Sequence, residues 1–228
     1  MKFLPPRPDQ RQAFGIFAVL VSLFFMTVVM HGSMRILFFG GIAYGLLFIF
    51  HHAAERAAMK VQKPLRAYAA AVVLNGMTVE VLAYLGNADD IAAGKKVPLF
   101  HQGSLMLDLV VGLPYYVILA GVFSWALKRY AFTTLQLGAV IFLFWAGAVD
   151  EFVHLRALLQ GNLPEFLLAG FLMLCTLHGS IVAFEKPLAS AYPNRPKPGW
   201  REFIILFLLQ GLSFIGPVAA VVISHLMG

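Results

Sequence analysis

Runs of about 20 apolar residues follow one another along almost the whole chain, each long enough to cross a hydrocarbon core of roughly 30 Å as a helix. No arrangement of such runs can be hidden inside a water-soluble globule of 228 residues. In lipid each backbone N–H and C=O must be paired internally, which leaves helices or a closed barrel as spanning structures. Runs of this length favour helices. Only 12% of residues are charged and 60% are hydrophobic, whereas a soluble domain carries about 25% charge. With a mean hydropathy of +0.81, the expectation is an all-α integral membrane bundle forming a single domain.

Seven spans fit the pattern: residues 13–31, 34–53, 66–86, 104–127, 131–151, 163–184 and 202–226. The longest connections are "GNADDIAAGKKVPLFHQ" and "EKPLASAYPNRPKPGW", the second with four prolines that oppose helix continuation. The first run follows Lys2, Arg7 and Arg11, exceeds the usual core of a signal peptide, and precedes no clear small-x-small cleavage site. It reads as a retained first helix. Lysines and arginines alternate unequally between the two sides. One side carries Lys2, Arg7, Arg11, Arg56, Lys60, Lys63, Arg66, Lys128, Arg129, Lys186, Arg195, Lys197 and Arg201, while the other has only Arg35, Lys95, Lys96 and Arg156. The positive-inside rule then predicts a cytoplasmic N-terminus and an outside C-terminus. The expected location is a cell membrane, of the prokaryotic inner-membrane kind, with membrane lipid as the surrounding partner. The net charge of +6 lies in these short loops, so no nucleic-acid partner is expected. The single Cys175 excludes a disulfide framework and reads as a small buried hydrophobe.

Against this apolar background a few ionisable residues stand out. Glu80 falls about two-thirds of the way up the third span, and Asp108 about one turn inside the fourth from the outer face, at 1.5 Å of rise per residue. Asp150, Glu151 and His154 fall at the outer end of the fifth, in "IFLFWAGAVDEFVHLRALL". An ionisable group at membrane depth is costly and usually faces the bundle interior or a water-filled cavity. Glu80 and Asp108 therefore read as a site, or else as a packing device in which Glu80 bonds Asn75, Thr78 or Tyr84. His154 lies i+4 from Asp150 and i+3 from Glu151, so all three fit on one helical face. They form part of the same site or the solvated end of the helix. Tyr84, Tyr115, Tyr116, Trp125 and Trp145 are the aromatics placed to line an apolar pocket. His178 reads as a hydrogen-bonded core histidine. "HHAAER" puts His51 and His52 within a turn of Glu55, but on the opposite face from Glu151 and His154, so the two motifs cannot share a metal. No metal and no cofactor are expected, and no nucleotide motif is present.

From residue 79 to 127 the pattern "VEVLAYLGN…LDLVVGLPYYVILAGVFSWAL" resembles a stretch of the membrane carotenoid-hydratase family, with Glu80, Gly86, Pro114 and Trp125 at the matching places. The two-acid arrangement also resembles the small seven-helix membrane terpene cyclases, which protonate an isoprenoid with a buried carboxylic acid. These resemblances imply carotenoid or isoprenoid biosynthesis by a lyase or cyclase and a lipid-soluble small-molecule substrate. The chemistry is coherent: protonating an alkene needs a carboxylic acid kept neutral by a dry site, and a second carboxylate to stabilise the cation or activate water. Glu80 or Asp108 would be the acid, and Asp150, Glu151 and His154 the base. A proton-coupled carrier or a lipid-binding accessory subunit are the alternatives, although no inverted repeat supports a carrier.

Overall fold

A computed structural model of the chain describes residues 9–28, 33–92, 94, 104–148, 158–163, 167, 170–171, 174–216 and 218. Every regular element among them is helical: α1 (Gln10–Val28), α2 (Ser33–Ile49), α3 (His51–Ala58), α4 (Pro64–Ala92), α5 (Leu105–Arg129), α6 (Thr134–Ala148), α7 (Gly179–Ala191) and α8 (Trp200–Gln210). A widened π-helical turn, Leu174–His178, leads into α7, and a 3₁₀ turn, Gly211–Phe214, follows α8.

On α1 small residues face inward and large apolar ones outward. On α1 the buried residues are Gly15, Ala18 and Ser22, while Phe17, Leu20 and Phe24 are exposed. A soluble helix does the reverse, because water drives its large side chains inside. In lipid the tails are as apolar as Leu, so helices associate through close backbone contact at small residues. The α1–α2 hairpin does this: a Cβ on Gly15 would lie 2.5 Å from the Gly45 carbonyl oxygen, and one on Gly45 would lie 2.6 Å from that of Gly15. Three helices, Gln10–Val28, Pro64–Gly86 and Asp108–Arg129, are long and apolar enough to cross a membrane; Phe38–Ile49 and Thr134–Trp145 are shorter apolar helices. The protein is a helical, membrane-associated one.

α5 is the most buried of the three long apolar helices. Its Leu119, Phe123, Ala126 and Leu127 are buried in one core with Tyr68 and Val72 of α4, Leu137 and Ile141 of α6, Ile181 and Leu188 of α7 and Leu206 of α8. A second, smaller core joins Ala18, Tyr44, Phe48, Cys175 and Val182. Cys175 is a free, buried thiol.

Several boundaries differ from the sequence reading. The second span is not one helix to residue 53. It breaks at Phe50 (φ −99°, ψ 20°), and α3 starts afresh at His51. α4 continues to Ala92, through the first six or seven residues assigned to a polar loop. α7 continues to Ala191, past the expected end at 184, with Pro187 inside it. A proline there costs one backbone bond, about 3 kcal/mol, but Pro187 and Leu188 are buried, and that packing offsets the loss.

Candidate functional site

The third and fourth spans expected from the sequence meet as α4 and α5, and two glycines decide how. Gly76 has no side chain where the Tyr116 ring lies; a Cβ there would be 2.2 Å from Tyr116 Cδ1. One turn further along α4, Glu80 crosses Gly112 of α5, whose added Cβ would lie 3.0 Å from Glu80 Cγ. Gly76 and Glu80 thus share one face of α4, and Gly112 and Tyr116 one face of α5, each pair at i, i+4. The result is a hydrogen bond from the Tyr116 hydroxyl to Glu80 Oε1 at 2.7 Å. Asp108, 2% exposed, lies a further four residues back on α5, about 6 Å of rise from Gly112.

Aromatic rings continue from this point. Tyr115 packs edge-on to Tyr116 at 4.8 Å and to Trp145 at 5.4 Å. Phe214 closes on Trp145 at 5.7 Å, and Phe144 on Trp145 at 5.0 Å. The Trp145 indole N–H donates to Gln210 Oε1 at 3.1 Å. Gln210 is fully buried, and its Nε2 has no partner among the described residues. The wall therefore contains a dry amide donor. Close passage of Gly216 over Pro114, where a Cβ would lie 2.9 Å from Pro114 Cβ, holds the 3₁₀ turn after α8 against α5.

Of the residues singled out in the sequence, Glu80, Tyr115, Tyr116 and Trp145 thus meet along α4, α5 and α6, with the buried Asp108 one turn before Gly112 on α5. Glu80 bonds to Tyr116, a partner different from the Asn75, Thr78 or Tyr84 considered from spacing. Tyr84 is half-buried one turn beyond Glu80. Trp125 does not join this group. It is nine residues past Tyr116, about 14 Å along the axis, packed edge-on to Tyr130 with Arg129 5.2 Å above its ring. Asp150, Glu151 and His154 lie outside the described residues.

A half-open cleft of about 570 Å³ lies between α2, α4 and α7. Its walls are mostly apolar, with Tyr44, Asn75, Thr78 and Ser180 as polar points. The cleft uses the Asn75, Thr78 and Val79 side of α4, whereas Gly76 and Glu80 face α5. Glu80 does not line it.

At the other end of the bundle an ionic cluster ties four elements together. Glu55 of α3, 2% exposed, accepts from Arg11 Nη1 of α1 at 3.2 Å and from Lys186 Nζ of α7. Arg11 Nη2 also reaches Glu185 Oε2 at 2.5 Å. The Thr134 hydroxyl at the start of α6 donates to Glu185 as well. From there a polar line enters the bundle. The Thr134 carbonyl oxygen lies 2.6 Å from His178 Nε2, and the Tyr44 hydroxyl lies 2.6 Å from His178 Nδ1. A carbonyl can only accept, so Nε2 carries the proton and Nδ1 accepts from Tyr44. His178 is thus a hydrogen-bonded core histidine. The same end holds Asp9, His51 and His52, whose ligand atoms lie within 4.8 Å of one another. Arg195 closes this end by donating to the Leu127 carbonyl, capping α5; partial burial pulls its pKa down.

The sequence pattern pointed to Glu80 and Tyr116 separately, and to "HHAAER" as a local cluster, but not to Arg11 or Glu185. Those are single charges near helix ends, the commonest place for them, and only their partners distinguish them. No protein-family model matches the chain, and neither the curated proteins nor the solved structures contain a match to it.

Proposed function

We propose that the chain is a seven-span membrane enzyme, with a cytoplasmic N-terminus and an outside C-terminus, that protonates a lipid-soluble isoprenoid or similar alkene by carboxyl acid–base chemistry. The orientation rests on the lysine and arginine imbalance and on the ionic cluster that joins the start of α1, α3, the start of α6 and Glu185 and Lys186 of α7 at one end. Reporter fusions at Asp89 and Arg195 should give opposite faces; the same face for both would refute it.

The observation that carries the chemical reading is the Tyr116–Glu80 hydrogen bond, with a second, buried carboxyl, Asp108, one turn before Gly112 on α5. A carboxylic acid is the proton source an alkene requires, and Glu80 is the carboxyl that Tyr116 holds. Tyr116 orients Glu80 by donating to its Oε1. Asp108 is the second carboxyl, suited to stabilising a cation or holding water. The faces of Tyr115, Trp145 and Phe214 provide π density for a developing positive charge. Hydration or cyclisation both begin with this protonation.

The test is direct. Protein in lipid nanodiscs is incubated with long-chain isoprenoid alkenes in deuterated buffer, and products are analysed by mass for added water or for one incorporated deuterium. Wild type should yield product; Glu80→Gln, which keeps shape but delivers no proton, should lose it while unfolding at the wild-type temperature. A fully active Glu80→Gln would make Glu80 a packing residue.

A proton-coupled carrier is the second reading, favoured by the line Glu185–Thr134–His178–Tyr44, which runs from the ionic cluster to the cleft. It predicts substrate uptake into proteoliposomes driven by a pH gradient and slowed by Tyr44→Phe. Uptake without any product in the first assay would decide for the carrier.

A further inference from the structure

The sequence set "HHAAER" aside as a metal motif because its apparent counterpart lies on the opposite face. The fold supplies a different third ligand. The break at Phe50 starts α3 with His51 and His52 in succession, their rings 3.9 Å apart. The α1–α2 hairpin returns the start of α1 to this point, and Asp9, the residue before α1, projects its Oδ2 between the two rings. It lies 3.4 Å from His51 Nε2 and 3.5 Å from His52 Nε2.

We propose that Asp9, His51 and His52 form a binding site for a divalent late first-row transition-metal ion, with zinc as the reference occupant.

Ligand spacing supports this. Bonds of about 2.1 Å in tetrahedral geometry put neighbouring ligand atoms about 3.4 Å apart. Both carboxylate–imidazole separations already have that value. The remaining His51–His52 separation is within 4.8 Å, and the His52 side chain is 59% exposed and free to close it.

Two of the three ligands are also held from behind. His51, 2% exposed, places Nδ1 2.8 Å from the Phe48 carbonyl oxygen. That oxygen can only accept, so Nδ1 carries the proton and Nε2 is the nitrogen that presents a lone pair toward Asp9. Asp9 Oδ1 accepts the Gln12 backbone N–H at 2.8 Å, which leaves Oδ2 to the histidines. His52 Nδ1 lies 3.9 Å from Glu55 Oε2. The Phe48 contact is a hydrogen bond of the kind that fixes tautomer and ring orientation in metal-bound histidines, whereas at 3.9 Å the Glu55 carboxylate acts on His52 only through its charge. Glu55 itself is engaged by Arg11 and Lys186, so three protein ligands bind the ion and the fourth position is open to water or an exogenous group. Two imidazoles and a carboxylate select zinc, copper, nickel or cobalt over magnesium and calcium, which prefer all-oxygen shells.

Full-length protein with its affinity tag removed, purified in detergent and stripped with a chelator, is titrated with cobalt chloride. The intensity of the ligand-field bands reports four-coordinate cobalt, and zinc chloride is then added to displace it. One equivalent should bind, zinc should displace it, and zinc should raise the unfolding temperature. Asp9→Asn and His52→Asn, both at exposed positions, should fold as wild type yet bind about tenfold or more weakly. Magnesium chloride should not compete. If wild type takes up less than one equivalent, or if both variants bind as wild type does, the three residues are an ion-paired helix junction and the proposal fails.

Discussion

Arg11→Met should destabilise the protein far more than Lys186→Met, although both residues bridge Glu55. The difference follows from what each leaves behind. The Glu55 side chain is 3% exposed, so its carboxylate cannot recover its hydration when a partner is lost. Arg11 is two-thirds buried and holds both Glu55 and Glu185. Its removal leaves two carboxylates near each other with Lys186 as the remaining full-time cation and Thr134 as hydrogen-bond donor. Breaking a buried ion pair from one side costs about 3–5 kcal/mol. Lys186 is 61% exposed, so its loss leaves Arg11 in place to neutralise Glu55 and removes only a bridge whose cationic end was already solvated, at about 0–1 kcal/mol. At roughly 2–4 °C per kcal/mol for a chain of this size, Arg11→Met should lower the unfolding midpoint by about 6–20 °C and Lys186→Met by a few degrees at most. The assay is thermal unfolding in one detergent, followed by circular dichroism and by loss of monodispersity. The double variant Arg11→Met, Glu55→Gln should be less destabilised than Arg11→Met alone, because the stranded charge goes with its partner. Equal midpoints for Arg11→Met and Lys186→Met, or a double variant worse than Arg11→Met, would refute the reasoning.

Other outcomes follow from single contacts. Gly76→Ala places a methyl group 2.2 Å from the buried Tyr116 ring; an overpacking cost of about 1–3 kcal/mol should appear in the unfolding midpoint, and Gly40→Ala, where nothing lies within 4 Å, should be silent. Tyr116→Phe removes the donor to Glu80 and should shift the Glu80 carboxyl band in difference infrared spectra against Glu80→Gln, with a stability loss of about 1–3 kcal/mol. An unshifted band would mean that Tyr116 does not hold Glu80. Tyr44→Phe leaves His178 Nδ1 buried without its donor and should cost a similar amount, about 1–3 kcal/mol, which Tyr44→Phe combined with His178→Leu should partly restore.

What the sequence by itself determined is the solvent. Apolar runs recurring over the chain admit only helices in lipid, since no other backbone arrangement without a closed barrel pairs its polar groups there. Glu80 and Asp108 were legible for the same reason: a charge is conspicuous where the surroundings are apolar. The tertiary structure alone decided which face each residue uses. In an α1 that is apolar all round, periodicity says nothing about the contact side, and Gly15 and Gly45 settle it by admitting a backbone that a Cβ would exclude. Gly76 similarly brings Tyr116, rather than a neighbour on α4, to Glu80. The helix break at Phe50 and the run of α7 through Pro187 reflect packing that overrides local preference. Arg11, Asp9 and Glu185 were illegible because their partners are 42 to 174 residues away in the chain, and a charge at a helix end acquires meaning only from the charge that the fold sets opposite it.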